Sequence, residues 1–304
     1  MMKDFLAPYH DHLALVMDTG YKQSNRTDQW AITLPYGVTH TYDLAEGFPA
    51  VWSKELYFPG IRGEIIGFLR GYTTSDAFAR LGCKWWDADA NENQDWLDSP
   101  HRAGKNALGK VYGYQWRNWE GENGQNIDQV QVALDLIRND PYSRRILISA
   151  WRPDHFSQMA LPPCHVIYRF QVNVEAGELN MSVYQRSSDM FLGVPMNIAG
   201  AAIMLELFAA ATGLTPRWLT HHLDDTHIYS KAFSAVEEQL QIIRGGEPMP
   251  PPFLCFHKEL KGLNANELAS IEPAEIELID YKHYSLVAER VPMATTRKGG
   301  DAEV

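Results

Sequence analysis

"CHVIYRFQVNVEAGELNMSVYQRSSDMFLGVPMNIAGAAIMLELFAAATG", running from Cys164 to Gly213, decides the architecture. Two runs rich in Val, Ile, Tyr and Phe, CHVIYRFQVNV and GELNMSVYQRS, are joined through EAG, the pattern of an antiparallel hairpin. NIAGAAIMLELFAAATG then follows, apolar nearly all round and closed by Gly213, which marks a helix buried in a core. A hairpin running into a buried helix implies a sheet covered by helices.

The flanking sequence extends this plan. RRILISAWR reads as a further strand, and IDQVQVALDLIRNDPYS as an amphipathic helix stopped at Asp140-Pro141. GIRGEIIGFLRG has helical spacing, with Ile61, Ile65 and Leu69 on one face. WAITLPYGVTHTYDL reads as a hairpin turning at Gly37. The segment DADANENQDWLDSPHRAGKNALG is polar and rich in turn formers, so it is expected to be a surface loop or insertion over 89–109. The last third supplies a helix at KAFSAVEEQLQIIRGG, a PMPPP spacer and a short strand at EIELIDYKH. With no internal repeat and no linker, the order of elements fits one α/β domain with a mixed sheet.

With 304 residues, 45% of them hydrophobic, the chain can build the core of a globular enzyme. A formal charge of −11 argues against a general nucleic-acid footprint, so an anionic ligand must be held by a few concentrated arginines. No stretch approaches ~20 uninterrupted apolar residues, and MMKDFLAPYHDHLALVMDTG carries acidic residues and histidines where a signal peptide needs an apolar core. A soluble, cytoplasmic protein that binds no membrane is expected. Cys83, Cys164 and Cys255 lie far apart without C-x-x-C spacing, which suggests neither a disulfide framework nor a metal site.

An isolated cysteine is most often a small buried hydrophobe. Cys164 has a different setting: Pro162 and Pro163 fix the backbone before it, and a strand starts directly after it. The hairpin returns Arg186 toward Cys164, and a guanidinium near a thiol favours the thiolate that attacks carbon electrophiles. His165 is adjacent, and neighbours on a strand point to opposite faces, which makes it a poor partner base. That counts against a thiol hydrolase built from Cys164 with His165 or His227.

The segments MALPPCHVIYRFQV, YQRSSDMFLGVPMNIAG, DDTHIYS, NDPYSRR and GKVYGYQWRNW together resemble the thymidylate synthase and pyrimidine-nucleotide hydroxymethylase family, from about Arg26 to about Ala294. The resemblance implies a homodimeric α/β fold over 1–294, with a large mixed sheet packed by helices and one sheet face forming the dimer interface. It also implies 5,10-methylenetetrahydrofolate as one-carbon donor, a pyrimidine nucleotide as acceptor and no metal.

Carried over residue by residue, it makes Cys164 the nucleophile toward C6 of the pyrimidine and Glu64 the carboxylate that manages protons through water near O4. Tyr112 assists proton removal at C5. Arg26, Arg186 and Ser187 match phosphate ligands, while Arg144 and Arg145 match the pair that reaches the other subunit's phosphate. His227 and Tyr229 match the ribose pair, and Gln185 and Asn197 belong to the nucleotide side. Lys54, Trp86, Leu192, Gly193 and Met196 match the folate side, with Asp189 between the two ligands.

Asn197 carries both a donor and an acceptor, which suits the O4 acceptor and N3–H donor of uracil, so dUMP is the expected substrate. A helix cap is the bland reading of that asparagine. Three departures from the family pattern bear on the product: DQWAIT follows Arg26-Thr27, Asp89 stands where a second tryptophan is usual, and Met196 replaces a phenylalanine. The polar tail TTRKGGDAEV, residues 295–304, follows the closing segment RVPMA. These features put a wetter site and 5-hydroxymethyl-dUMP first, dTMP second, and a non-catalytic nucleotide binder last.

Overall fold

The structure is a computed structural model that describes residues 3–25, 27, 29–287 and 291. The hairpin at its centre forms as the alternation dictates. His165–Asn173 pairs antiparallel with Glu178–Gln185, turning at Gly177 with φ of 66°. Along Glu178–Gln185 every second side chain, Leu179, Met181, Val183 and Gln185, is buried. Leu147–Ser149 joins on one side, and Thr215–Leu223 lies parallel to Glu178–Gln185 on the other. Val38–Asp43 closes the far edge antiparallel, giving a mixed five-stranded sheet.

The parallel step needs a crossover, supplied by the helix Gly193–Thr212, here the central helix. It is long and apolar enough to cross a membrane, yet 78% of its apolar window is buried inside the fold, so it serves as the core helix. Phe170 stacks on Phe208 at 4.5 Å, and the helix ends at Gly213, whose φ of 72° suits glycine. Phe58–Leu69 packs beside it with Ile61, Ile65 and Leu69 buried. Each such side chain stabilises the fold by roughly 1.5–3 kcal/mol. Gln129–Asn139, capped by Asp128, and Phe233–Gly245 complete the larger helices predicted from periodicity. The opposite sheet face leaves Tyr184 and Trp218 exposed, at 40% and 43%.

Two expectations fail. Ala31–Thr33 and Val38–Asp43 do not form a hairpin. The first pairs with Thr226–Tyr229 in a second, four-stranded sheet, while the second pairs with Thr215–Leu223 in the five-stranded one. At Gly37 the chain passes close to Asp224: a Cβ there would lie 2.0 Å from Asp224 Oδ1, so that side chain would have to move. The polar segment after Trp85 is no bare loop. It carries the short helices Trp86–Asn91 and Gln94–Leu97, pinned by the buried Trp96, whose indole donates to the Ala107 carbonyl at 2.7 Å. The strand Ile276–Ile279 is present, paired with Phe253–Phe256 beyond the proline spacer.

Candidate active site

Cys164 sits one residue before its strand, where two prolines hold the chain. Its backbone N–H donates to the Tyr112 hydroxyl at 2.5 Å, and its carbonyl accepts from the Arg186 N–H at 2.9 Å. The hairpin therefore does return Arg186 to the cysteine. The guanidinium donates to the carbonyls of Pro162 and Pro163, each at 2.9 Å, and lies 5.3 Å over the Trp151 ring. Cys164 stands at a junction of two cavities. One, of about 200 Å³, is lined by Glu64, Tyr112, Gln185, Asp189 and Asn197 among others. The other, of about 300 Å³, adds Arg186 and shares Ser187, His227 and Tyr229 with the first.

Glu64 projects from Phe58–Leu69 and accepts from both the Trp85 and Trp86 indoles, at 2.6 and 2.8 Å. Desolvation pushes its carboxyl up to about 7, against the pull of the two indole bonds, and nearby Asp89 adds to the rise. A carboxyl titrating there can both give and take a proton at neutral pH. Tyr112 is stacked on Phe68 at 4.7 Å, and burial raises its hydroxyl well above the ordinary range, so it is a neutral phenol.

His165 lines the same cavity as Cys164, because the strand and its alternation begin only at His165. Opposed faces were thus the wrong ground for dismissing it. Burial holds its pKa down at about 4, which makes it a weak proton acceptor. Neither ring nitrogen makes a hydrogen bond of good geometry among the described residues, although the Gln185 and Asn197 amides lie close enough to offset part of the desolvation.

Asn197 is the fifth residue of the central helix rather than its cap. Its Oδ1 accepts from Gln185 Nε2 at 3.0 Å, which holds the amide at the cavity wall. His227 donates from Nδ1 to the Asp225 carbonyl at 2.7 Å, which leaves Nε2 as an acceptor.

A third cavity, of about 490 Å³, shares Trp85 and Met196 with the first and is lined by Lys54, Tyr57, Leu192 and Val291. Lys54 donates to the Phe191 carbonyl and lies 3.9 Å over that ring; burial lowers its pKa to about 8, opposed by Asp189. Asp189 accepts from the Phe191 and Leu192 N–H groups at 3.0 and 3.2 Å. Gly193 and Asp89 also line the first cavity.

Arg144 and Arg145 are exposed and touch none of these cavities. Arg26 and the tail 292–304 lie outside the described residues. Sequence reasoning missed Trp85, whose neighbour Trp86 alone was assigned; the doubled tryptophan was the available signal. Among the described residues no group of three or more His, Cys, Asp or Glu is placed to hold a metal ion.

Comparison with known proteins agrees with this arrangement. The family model for thymidylate synthase matches residues 7–294. A thymidylate synthase of Pseudomonas putida is 38% identical over 94% of this chain and 99% of its own length. One from Corynebacterium aurimucosum is 38% identical over 93% and 97%, and one from Bordetella parapertussis 35% over 94% and 99%. With the family match spanning the segments that bring Cys164, Glu64, Tyr112 and Asn197 together, the chain belongs to the thymidylate synthase family.

Proposed function

We propose that this chain transfers a one-carbon unit from 5,10-methylenetetrahydrofolate to C5 of dUMP and releases dTMP. The observation that carries the reading is the meeting, in one cavity, of a cysteine, a carboxyl titrating near 7 and an asparagine amide. The Cys164 thiolate adds to C6, and the displaced electron pair makes C5 an enolate carbon. C5 bonds to the methylene carbon as the first of that carbon's two bonds to folate nitrogens breaks. Glu64 moves a proton through water at O4, and Tyr112 assists loss of the C5 proton. The electron pair left by that proton expels tetrahydrofolate as the second carbon–nitrogen bond breaks, which leaves an exocyclic methylene on C5 while Cys164 is still bound at C6. Hydride transfer from tetrahydrofolate to that methylene, with departure of the Cys164 thiolate from C6, gives dTMP and dihydrofolate.

Asn197 donates from Nδ2 to O4 and accepts N3–H on Oδ1. Arg26, Arg186 and Ser187 hold the phosphate, with Arg144 and Arg145 reaching it from a second subunit across the exposed sheet face. The 490 Å³ cavity suits a flat folate: it has an apolar lining, the Trp85 ring, and Lys54 to meet a polar group, while Asp189 stands in the adjoining first cavity. Residues 1–294 form the catalytic domain in this reading, and 295–304 an appendage.

The name shared by the 35–38% identical relatives supports the methyl product. Asp89 supports a second reading, in which water captures the methylene and 5-hydroxymethyl-dUMP leaves with tetrahydrofolate. It sets a carboxyl beside Glu64 in the cavity wall. One spectrophotometric trace separates the two, because only hydride transfer yields dihydrofolate. Stoichiometric dihydrofolate with dTMP is expected; tetrahydrofolate with heavy-oxygen label from water in the nucleotide would establish the second reading instead. The shared site is tested by mixing Arg144→Ala with Cys164→Ala subunits. Heterodimers should recover one whole site and partial activity, and no recovery would remove the role given to Arg144.

A further inference from the structure

His221 is fully buried in the Thr215–Leu223 strand, on the strand next to that of Gln185. Its Nε2 lies 2.9 Å from Gln185 Oε1. Gln185 Nε2 donates to the Ser187 carbonyl at 2.9 Å and to Asn197 Oδ1 at 3.0 Å. These contacts form a relay from a core histidine to the amide at the cavity wall.

The direction of the relay depends on which ring nitrogen of His221 carries the proton. Nδ1 has no partner among the described residues. His40, its register partner on the neighbouring strand, is engaged elsewhere: Nε2 meets His12 Nδ1 at 2.9 Å, and Nδ1 meets the Tyr42 hydroxyl at 3.3 Å. A proton on His221 Nδ1 would be a buried donor with nothing to bind, and Nε2 would then face the Gln185 oxygen lone pair to lone pair. Desolvation first, then the nearby His165, His40 and His222, keep the ring neutral by lowering its pKa well below the ordinary value. The proton therefore belongs on Nε2.

We propose that His221 is a positioning residue that, together with the Ser187 carbonyl, holds the sense in which the base edge is read. Donation from Nε2 fixes the Gln185 oxygen toward His221 and its nitrogen toward Asn197. Asn197 must then turn its oxygen to Gln185, which presents Nδ2–H for O4 and the remaining Oδ1 lone pair for N3–H of uracil. With both amides reversed, Asn197 would offer an oxygen opposite position 4 and an N–H opposite N3, the pattern that cytosine needs. The Ser187 carbonyl holds the same Gln185 nitrogen, so losing His221 loosens the relay without inverting it. This inference rests on the dUMP reading above.

Calorimetric titration of dUMP and dCMP into the full chain tests it. His221→Leu is expected to lose about tenfold of the preference for dUMP over dCMP, mainly through weaker dUMP binding. His221→Gln, whose amide N–H can donate from a similar place, should stay within about threefold of the parent ratio. An unchanged ratio in a folded His221→Leu protein would overturn the proposal. Nitrogen-15 shifts of labelled histidine in the unmutated protein give a second measure that needs neither variant nor nucleotide. They should report the Nε2–H tautomer for His221, and the Nδ1–H tautomer or a charged ring would overturn the assignment. If the unmutated protein bound neither nucleotide, the dUMP reading would fall, while the tautomer would still decide whether His221 can direct Gln185.

Discussion

The two walls of the site are built differently. On the inner wall several polar groups are set by a hydrogen bond to something rigid: His227 to the Asp225 carbonyl, Asn197 to Gln185, Tyr112 to the Cys164 backbone. The outer wall is mostly surface, made of Trp85, Leu192 and Met196 near the starts of helices, with Lys54 tied to the Phe191 carbonyl. A wall of fixed donors and acceptors selects by pattern, whereas a wall of ring faces selects by shape and by excluding water. Changes on the inner wall should therefore alter which molecule reacts and whether it reacts. On the outer wall they should alter how dry and how well oriented the reaction is.

Cys164→Ala is the severest test of that contrast. Turnover should fall by on the order of 10⁴-fold or more, while dUMP affinity measured by calorimetry stays within severalfold, because the inner wall still reads the base. Substantial residual turnover would remove the covalent step. Glu64→Gln comes next, with kcat expected to fall by about 10²–10⁴-fold and the ionisation near 7 to vanish from the pH–rate profile.

The same group links stability to pH. Its folded pKa lies near 7 and its ordinary value at 4.5, so between these the native chain keeps a proton that the unfolded chain has released. Stability then falls as pH rises through that window. Glu64→Gln should accordingly raise the melting temperature more at pH 8 than at pH 5, and an equal effect at both would mean that the carboxyl is not desolvated in solution.

Asn197→Asp should shift relative kcat/KM from dUMP toward dCMP by roughly ten- to hundredfold, the effect of one or two mispaired polar groups at about 1–3 kcal/mol each. Unchanged discrimination would assign base reading to another group. The smallest effect is expected from Trp85→Phe, which removes one of two indole donors to Glu64 and keeps a ring in the wall. The alkaline limb of the pH–rate profile should move up by about one unit or less. No movement, with a larger loss in KM for folate, would mark Trp85 as an outer-wall surface only.

How much could be read beforehand follows the range of the interactions. Cys164, Arg186 and Asn197 were legible together because one hairpin and one helix start, contiguous in the chain, fix their relation. The stretch around Gly37 was misread because two short β segments flanking a glycine look alike whether they pair with each other or part to different sheets. The partners that decide, Thr226–Tyr229 and Thr215–Leu223, lie almost two hundred residues away. Trp85 and His221 escaped for a similar reason: each matters through a contact that only register or packing creates. Trp96 turned an apparent loop into two anchored helical turns, an effect of burial that local polarity conceals.

The parallel step between Glu178–Gln185 and Thr215–Leu223 has a consequence for how the molecule is made. Gln185 and His221 meet only after the chain has passed through the whole central helix and come back, so their contact closes a loop that local structure cannot close early. Helix formation runs ahead of such pairing by its nature. During refolding from denaturant, far-ultraviolet ellipticity should recover first and nucleotide affinity later. A newly synthesised chain would accordingly be helical for a time before it could tell one pyrimidine from another.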